Sequence, residues 1–266
     1  MKKADEIDFT VYGDDMQFVE IGLDSGESVI AEAGAMMYMD DGIEVDSKFG
    51  AGSKDAGKGV MGMLKGAGKR VLTGESLFMS VFTNKEQGKN PVAFAAPYPG
   101  KIIPFNLMDF GGRIICQRDS FLCAAEGINI EIAFQKKIGA GLFGGEGFIM
   151  QRLEGDGLAF LHAGGTIIKK DLAPGQMMKI DTGCLVAMTS SVDYDVQFVG
   201  NVKSAIFGGE GLFFATLKGP GTIWLQSLPF SRLADRMISA GRIGGKNKGE
   251  GGLVGGIGLG DIFGND

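Results

Sequence analysis

The chain carries one histidine, His162, and that limits its chemistry before any fold is considered. A Ser-His-Asp or Cys-His site would have to use this residue, and a zinc site of three histidines is impossible. No Gly-x-Ser-x-Gly elbow is present to expose a nucleophilic serine. His162 ends an apolar run just before Ala163-Gly164-Gly165. At the end of a hairpin strand it is expected to be an edge histidine with its hydrogen bonds satisfied.

Two glycine-rich stretches imitate nucleotide sites. Gly52-Ser53-Lys54-Asp55-Ala56-Gly57-Lys58-Gly59 nearly matches a phosphate loop, but Gly59 stands where a hydroxyl would reach Mg²⁺. Its flanks predict neither a parallel strand nor a long helix, so the expectation is a solvated loop. Gly139-Ala140-Gly141-Leu142-Phe143-Gly144 fits the dinucleotide pattern letter for letter. That site needs a helix to start there, so that helix amides can hold the pyrophosphate. Gly145-Glu146-Gly147-Phe148-Ile149-Met150 follows instead and predicts a strand, which makes the stretch a structural corner.

Three glutamates recur beside glycine: Gly74-Glu75, Gly145-Glu146 and Gly209-Glu210. Brought to one axis, their carboxylates would form an oxygen ring suited to Ca²⁺ or Mg²⁺. The commoner use of such a residue is to accept hydrogen bonds from turn amides, and that is the reading adopted. Cys116, Cys123 and Cys184 lack ligand spacing and sit in apolar runs, as inert core thiols do. No catalytic residue, cofactor or metal ligand is therefore assigned. The candidates for interaction are the cations Lys54, Lys58, Lys65, Lys69 and Arg70, interleaved with Val60, Met61, Met63 and Leu64. With a short helix around Val60 to Leu64, such a segment would rest on an anionic membrane surface or in a partner's groove. The competing reading is an exposed loop whose apolar residues cap the barrel.

The elements that must position these residues repeat. Gly74-Glu75-Ser76-Leu77-Phe78 recurs as Gly145-Glu146-Gly147-Phe148-Ile149 and as Gly209-Glu210-Gly211-Leu212-Phe213. The alternating runs ending at Ile132 and Val196 each lie thirteen residues before their corner. Val45 lies 29 residues before Gly74, so the first copy holds an insert within Asp46 to Arg70. Fixed-period similarity of this kind means one supersecondary unit stacked on itself. The hairpins after the corners turn at Glu154-Gly155-Asp156-Gly157 and Lys218-Gly219-Pro220-Gly221, with glycine and aspartate supplying the positive φ of tight turns. An all-β fold is expected, of three tandem units covering about 8–110, 111–176 and 177–228. A helix over 229–240 would complete a single domain, 1–240, with Phe230, Leu233, Ala234, Met237 and Ile238 on one stripe. Residues 241–266 read as a flexible Gly-rich tail.

Composition agrees. The 266 residues include 46 glycines, far above the usual share of about 7%. A net charge of −6 argues against a dominant nucleic-acid surface. Three cysteines without a CxxC pair point to a reducing compartment. The start has no apolar run behind its two lysines, and no stretch of 18 apolar residues exists. The expected location is the cytoplasm.

Several segments resemble a known family: Asp15 to Glu20, Gly26 to Met39, Leu72 to Phe78, and the Phe-Gly-Gly-Glu-Gly corners at Phe143 to Gly147 and Phe207 to Gly211. Over about residues 8 to 240 they are similar to the bacterial branch of the altered-inheritance-of-mitochondria family. The resemblance implies a fold like the tryptophan RNA-binding attenuator protein, with β-sandwich units of the double-stranded β-helix type in a pseudo-threefold arrangement. Mitochondrial relatives are linked to organelle biogenesis and inner-membrane organisation. The resemblance brings no catalytic residues, and the attenuator protein's tryptophan and RNA contacts match no motif here. The expected function is a non-enzymatic β scaffold acting through an unknown protein partner or an anionic membrane surface. The alternative is a small-ligand or RNA-binding module using a cleft between repeats; an enzyme using Glu75, Glu146 and Glu210 is a third reading. Exposed strand edges leave a homo-oligomer open.

Overall fold

The apolar runs and turn signals emerge as strands in a computed structural model, which describes residues 3–49, 78–136, 148–198 and 213–244. After a leading strand β1 (Asp8–Tyr12), the strands fall into three sets of six. The first set is β2 (Phe18–Leu23), β3 (Ser28–Glu32), β4 (Met36–Met39), β5 (Ile43–Phe49), β6 (Phe78–Asn84) and β7 (Asn90–Ala95). The second is β8 (Gly100–Asn106), β9 (Arg113–Gln117), β10 (Phe121–Ala125), β11 (Asn129–Lys136), β12 (Phe148–Glu154) and β13 (Leu158–Gly164). The third is β14 (Ile167–Leu172), β15 (Met177–Asp181), β16 (Leu185–Thr189), β17 (Asp193–Phe198), β18 (Phe213–Lys218) and β19 (Gly221–Gln226).

One antiparallel pairing scheme runs through all three sets. The fifth strand lies between the second and fourth, as β6 does between β3 and β5, β12 between β9 and β11, and β18 between β15 and β17. The sixth lies between the first and third, as β7 does between β2 and β4, β13 between β8 and β10, and β19 between β14 and β16. Neighbouring sets are joined where the second strand of one pairs with the third strand of the next, as β3–β10 and β9–β16. The sheets therefore read β1-β2-β7-β4, β5-β6-β3-β10-β13-β8, β11-β12-β9-β16-β19-β14 and β15-β18-β17.

This pairing moves the expected unit boundaries. β8 belongs with β13 and β14 with β19, so the second and third sets begin near residues 100 and 167 rather than at 111 and 177. The opening strands share no residue pattern (Phe-Val-Glu-Ile-Gly-Leu, Gly-Lys-Ile-Ile-Pro-Phe-Asn, Ile-Ile-Lys-Lys-Asp-Leu), so only hydrogen bonding reveals their kinship. The helix, α1 (Phe230–Gly244), runs past the expected 240, and the chain divides into compact units at Met1–Ser231 and Arg232–Asp266. The tail beyond 244 lies outside the described residues.

Burial follows each strand's place. β2 alternates half-buried and buried positions because one face of its sheet looks into the core. β10, central in a six-stranded sheet, buries all five of its residues, Phe-Leu-Cys-Ala-Ala. Fully burying a residue such as Phe160 or Leu161 contributes about 1.5–3 kcal/mol. The larger core cluster joins the first two sets and takes in Val186, Ala187 and Trp224 from the third, because β16 crosses to pair with β9. A second cluster fills the third set and includes Phe148 and Met150 of β12.

Buried polar groups are tied in. The Asn84 amide donates to the Leu23 carbonyl at 2.9 Å and the Gly88 carbonyl at 2.8 Å, and its oxygen accepts from the Glu86 amide at 3.0 Å. Gln226 accepts from the Gly164 amide and donates to the Gly183 carbonyl, both at 2.8 Å, stitching the second set to the third. Close approach explains two glycines: a β-carbon at Gly100 would collide with the Ala163 carbonyl, and one at Gly164 with the Leu228 carbonyl.

Candidate interaction surface

β4 is the edge of its sheet and pairs with β7 alone among the described residues. Its four residues, Met-Met-Tyr-Met, are all exposed, from 37% at Met39 to 55% at Met37. Pairing with β7, through pairs such as Tyr38–Ala93 and Met39–Val92, holds the segment as a strand. The strand is bulged between Met36 and Tyr38. The Tyr38 hydroxyl donates to the Glu20 carboxylate, which pushes its pKa up to about 12 and keeps the phenol protonated. The Tyr38 ring meets Phe18 edge-on at 6.3 Å, and Phe18 stacks on Tyr12 at 4.9 Å. With Tyr12 42% exposed, this edge offers thioethers and aromatic rings, which adapt to a partner's shape.

At the other end of the scheme, β15 is also an edge and pairs only with β18 among the described residues. Met177 is 63% exposed and Lys179 is exposed, whereas Ile180 turns into the core. A contrasting edge is β14, whose exposed centre is Lys169-Lys170-Asp171. Charges of that kind prevent edge-to-edge pairing. β4 carries none.

His162 is neither at an edge nor satisfied, which corrects the sequence expectation. β13 lies between β10 and β8, His162 faces Ile102 in the ladder, and the residue is 1% exposed. Neither ring nitrogen has a hydrogen-bond partner among the described residues. Burial pushes the imidazole down to about 4, so the ring is neutral at pH 7. The Tyr98 ring stands edge-on to it at 4.3 Å, with its own pKa pushed up to about 12, first by burial and then by Asp119 and Glu32. Glu32 is raised to about 7, again by desolvation first and by Asp119 second, with Arg118 opposing. A neutral imidazole with no carboxylate orienting it does not form a nucleophile-activating pair. Burial likewise pushes the Cys116 and Cys123 thiols well up, away from reactive thiolate.

The residues singled out in the sequence lie elsewhere. Lys54, Lys58, Lys65, Lys69, Arg70, Gly74, Glu75, Gly145, Glu146, Gly209 and Glu210 all fall outside the described residues, as does the predicted helix around Val60. Among the described residues no group of three His, Cys, Asp or Glu side chains is placed to hold a metal ion, and no helix is long and apolar enough to cross a membrane. The β4 surface is the feature that motif reading passed over. Its signal was an uncharged run of four large residues.

Comparison with known proteins accords with this fold. A protein of Streptococcus pyogenes serotype M6, itself uncharacterised, is 33% identical over 225 residues, which is 82% of this chain and 85% of the relative. A crystal structure of a Streptococcus pyogenes protein superimposes with a TM-score of 0.70 at 26% identity, covering 88% of this chain and all of that one. The family model for mitochondrial biogenesis AIM24 matches residues 9–228, and the chain belongs to that family.

Proposed function

We propose that this chain is a non-enzymatic β scaffold that works through protein contact at the β4 edge. The attenuator-type repetition of its three units is part of the same proposal. The observation that carries it is the exposed Met36-Met37-Tyr38-Met39 strand, an apolar edge with an open row of backbone groups. Glu20 and Asp40 lie beside Tyr38, which favours a protein over an anionic lipid or nucleic-acid surface. The perturbed side chains support the non-catalytic part, since His162 is held neutral and the two buried thiols are held protonated.

A photoreactive benzoylphenylalanine at position 38, illuminated in producing cells, tests the reading. Protein adducts are expected at position 38 and not at position 170 on the lysine-guarded β14. Adducts to lipid or RNA alone, or none at all, would overturn it.

A further inference from the structure

The β4 and β15 edges are the two halves of a junction that the chain already makes twice. In β3–β10, Ala31 faces Cys123, Ile30 faces Ala124 and Val29 faces Ala125. In β9–β16, Cys116 faces Ala187, Ile115 faces Met188 and Ile114 faces Thr189. Counted from the fifth-strand partners, Ala31, Cys116 and Ile180 are equivalent, opposite Ser80, Gln151 and Ala215. Counted from the sixth-strand partners, Cys123, Ala187 and Tyr38 are equivalent, each the residue after a bulge. Both internal junctions therefore have one register. That register, carried to the ends, sets Tyr38 against Ile180, Met39 against Lys179 and Asp40 against Met178.

β4 already has the shape of a junction strand. Its bulge between Met36 and Tyr38 matches those between Phe121 and Cys123 in β10 and between Leu185 and Ala187 in β16. What differs is cover. Cys123 and Ala187 are fully buried by their second neighbour, whereas Tyr38 remains 38% exposed.

We propose that β4 of one copy pairs antiparallel with β15 of a second copy, in the register of the internal junctions. This deepens the scaffold reading and rests on it, by naming the partner as another copy of the same chain. The contact is head to tail, because the two edges are different surfaces. Repetition then either closes a ring or extends a filament.

Mixing two cysteine variants tests the pairing, in a Cys184→Ser background that removes the half-buried native thiol. Tagged Met39→Cys and untagged Lys179→Cys both alter exposed residues, so folding should persist. The proposal predicts that a short bis-maleimide gives a tagged–untagged heterodimer on mixing, and a ladder of oligomers from the doubly substituted chain. Overturning results are like-with-like dimers, no cross-link, or a double variant cross-linked only within one chain. If position 38 captures other proteins in cells while this mixture yields no heterodimer, the pairing fails and the scaffold reading survives. If position 38 captures no protein, both fall.

Discussion

The internal junctions and the chain's outer edges use the same strand types for opposite ends. At β3–β10 and β9–β16 half of the twelve facing side chains are small, and Ala31, Cys116, Cys123, Ala124, Ala125 and Ala187 are all fully buried. At the ends the equivalent positions hold Tyr38, Met39 and Lys179, large and exposed. Small residues suit a junction fixed once, on folding, beneath a second layer. Methionine and tyrosine suit a surface that must survive in water and then be covered. The pairing scheme is the same throughout, and what differs is whether a second neighbour covers the strand among the described residues.

The largest effect should come from attacking a permanent junction. Ala187→Asp puts a carboxylate against Cys116 with no partner, and should cost at least about 4 kcal/mol or prevent folding, read as a lost or strongly shifted urea transition. The comparison breaks if that variant melts like the parent.

Protonation of His162, beside the β10 junction strand, comes next. Its folded pKa of about 4 lies below the ordinary 6.5, so the unfolded chain binds the proton first. The stabilisation is present above about pH 6.5 and is lost as pH falls towards 4, by roughly 3 kcal/mol. Glu32 works the other way, since its raised pKa of about 7 makes the folded state hold a proton that the unfolded state releases above 4.5. Its contribution falls as pH rises from 4.5 through 7. Urea melts from pH 4 to 7 should steepen in Glu32→Gln and flatten in His162→Leu.

Gly100→Ala should cost about 1–3 kcal/mol, because the added methyl meets the Ala163 carbonyl rather than a side chain that can turn away. The smallest effect belongs to the open edge. Met39→Lys should change the melting of the single chain by less than about 0.5 kcal/mol, since that residue is 37% exposed and its strand pairs with β7 alone among the described residues. A large loss there would mean that β4 belongs to the core, and the distinction between fixed and open junctions would disappear.

Much of this architecture was legible in the sequence, for particular reasons. Alternation in Asn129 to Ile132 and Asp193 to Val196, with equal spacing to the Gly-Glu corners, marks the fourth and fifth strands of the second and third sets. The first strands were not legible, because β8 and β14 share only their place in the hydrogen-bonding scheme with β2. His162 misled because the glycines after it suggest a turn at an edge, whereas β13 is flanked by β8 and β10, two strands distant in sequence. The open edges were invisible for a related reason. Whether a strand has a second neighbour is a fact of long-range pairing, and Met36-Met37-Tyr38-Met39 reads much like any apolar strand until β10 and β16 show what normally lies beside it.

Self-association is therefore the property on which the account turns, and its register can be tested by charge. Met39→Lys sets like charges opposite each other across the proposed pair, and adding Lys179→Glu turns repulsion into attraction. Sedimentation across a concentration series should show the single variant associating about fivefold more weakly than the parent, with the double variant restored. A parent that sediments as a monomer at every concentration, or a double variant no tighter than the single, would contradict the pairing of β4 with β15.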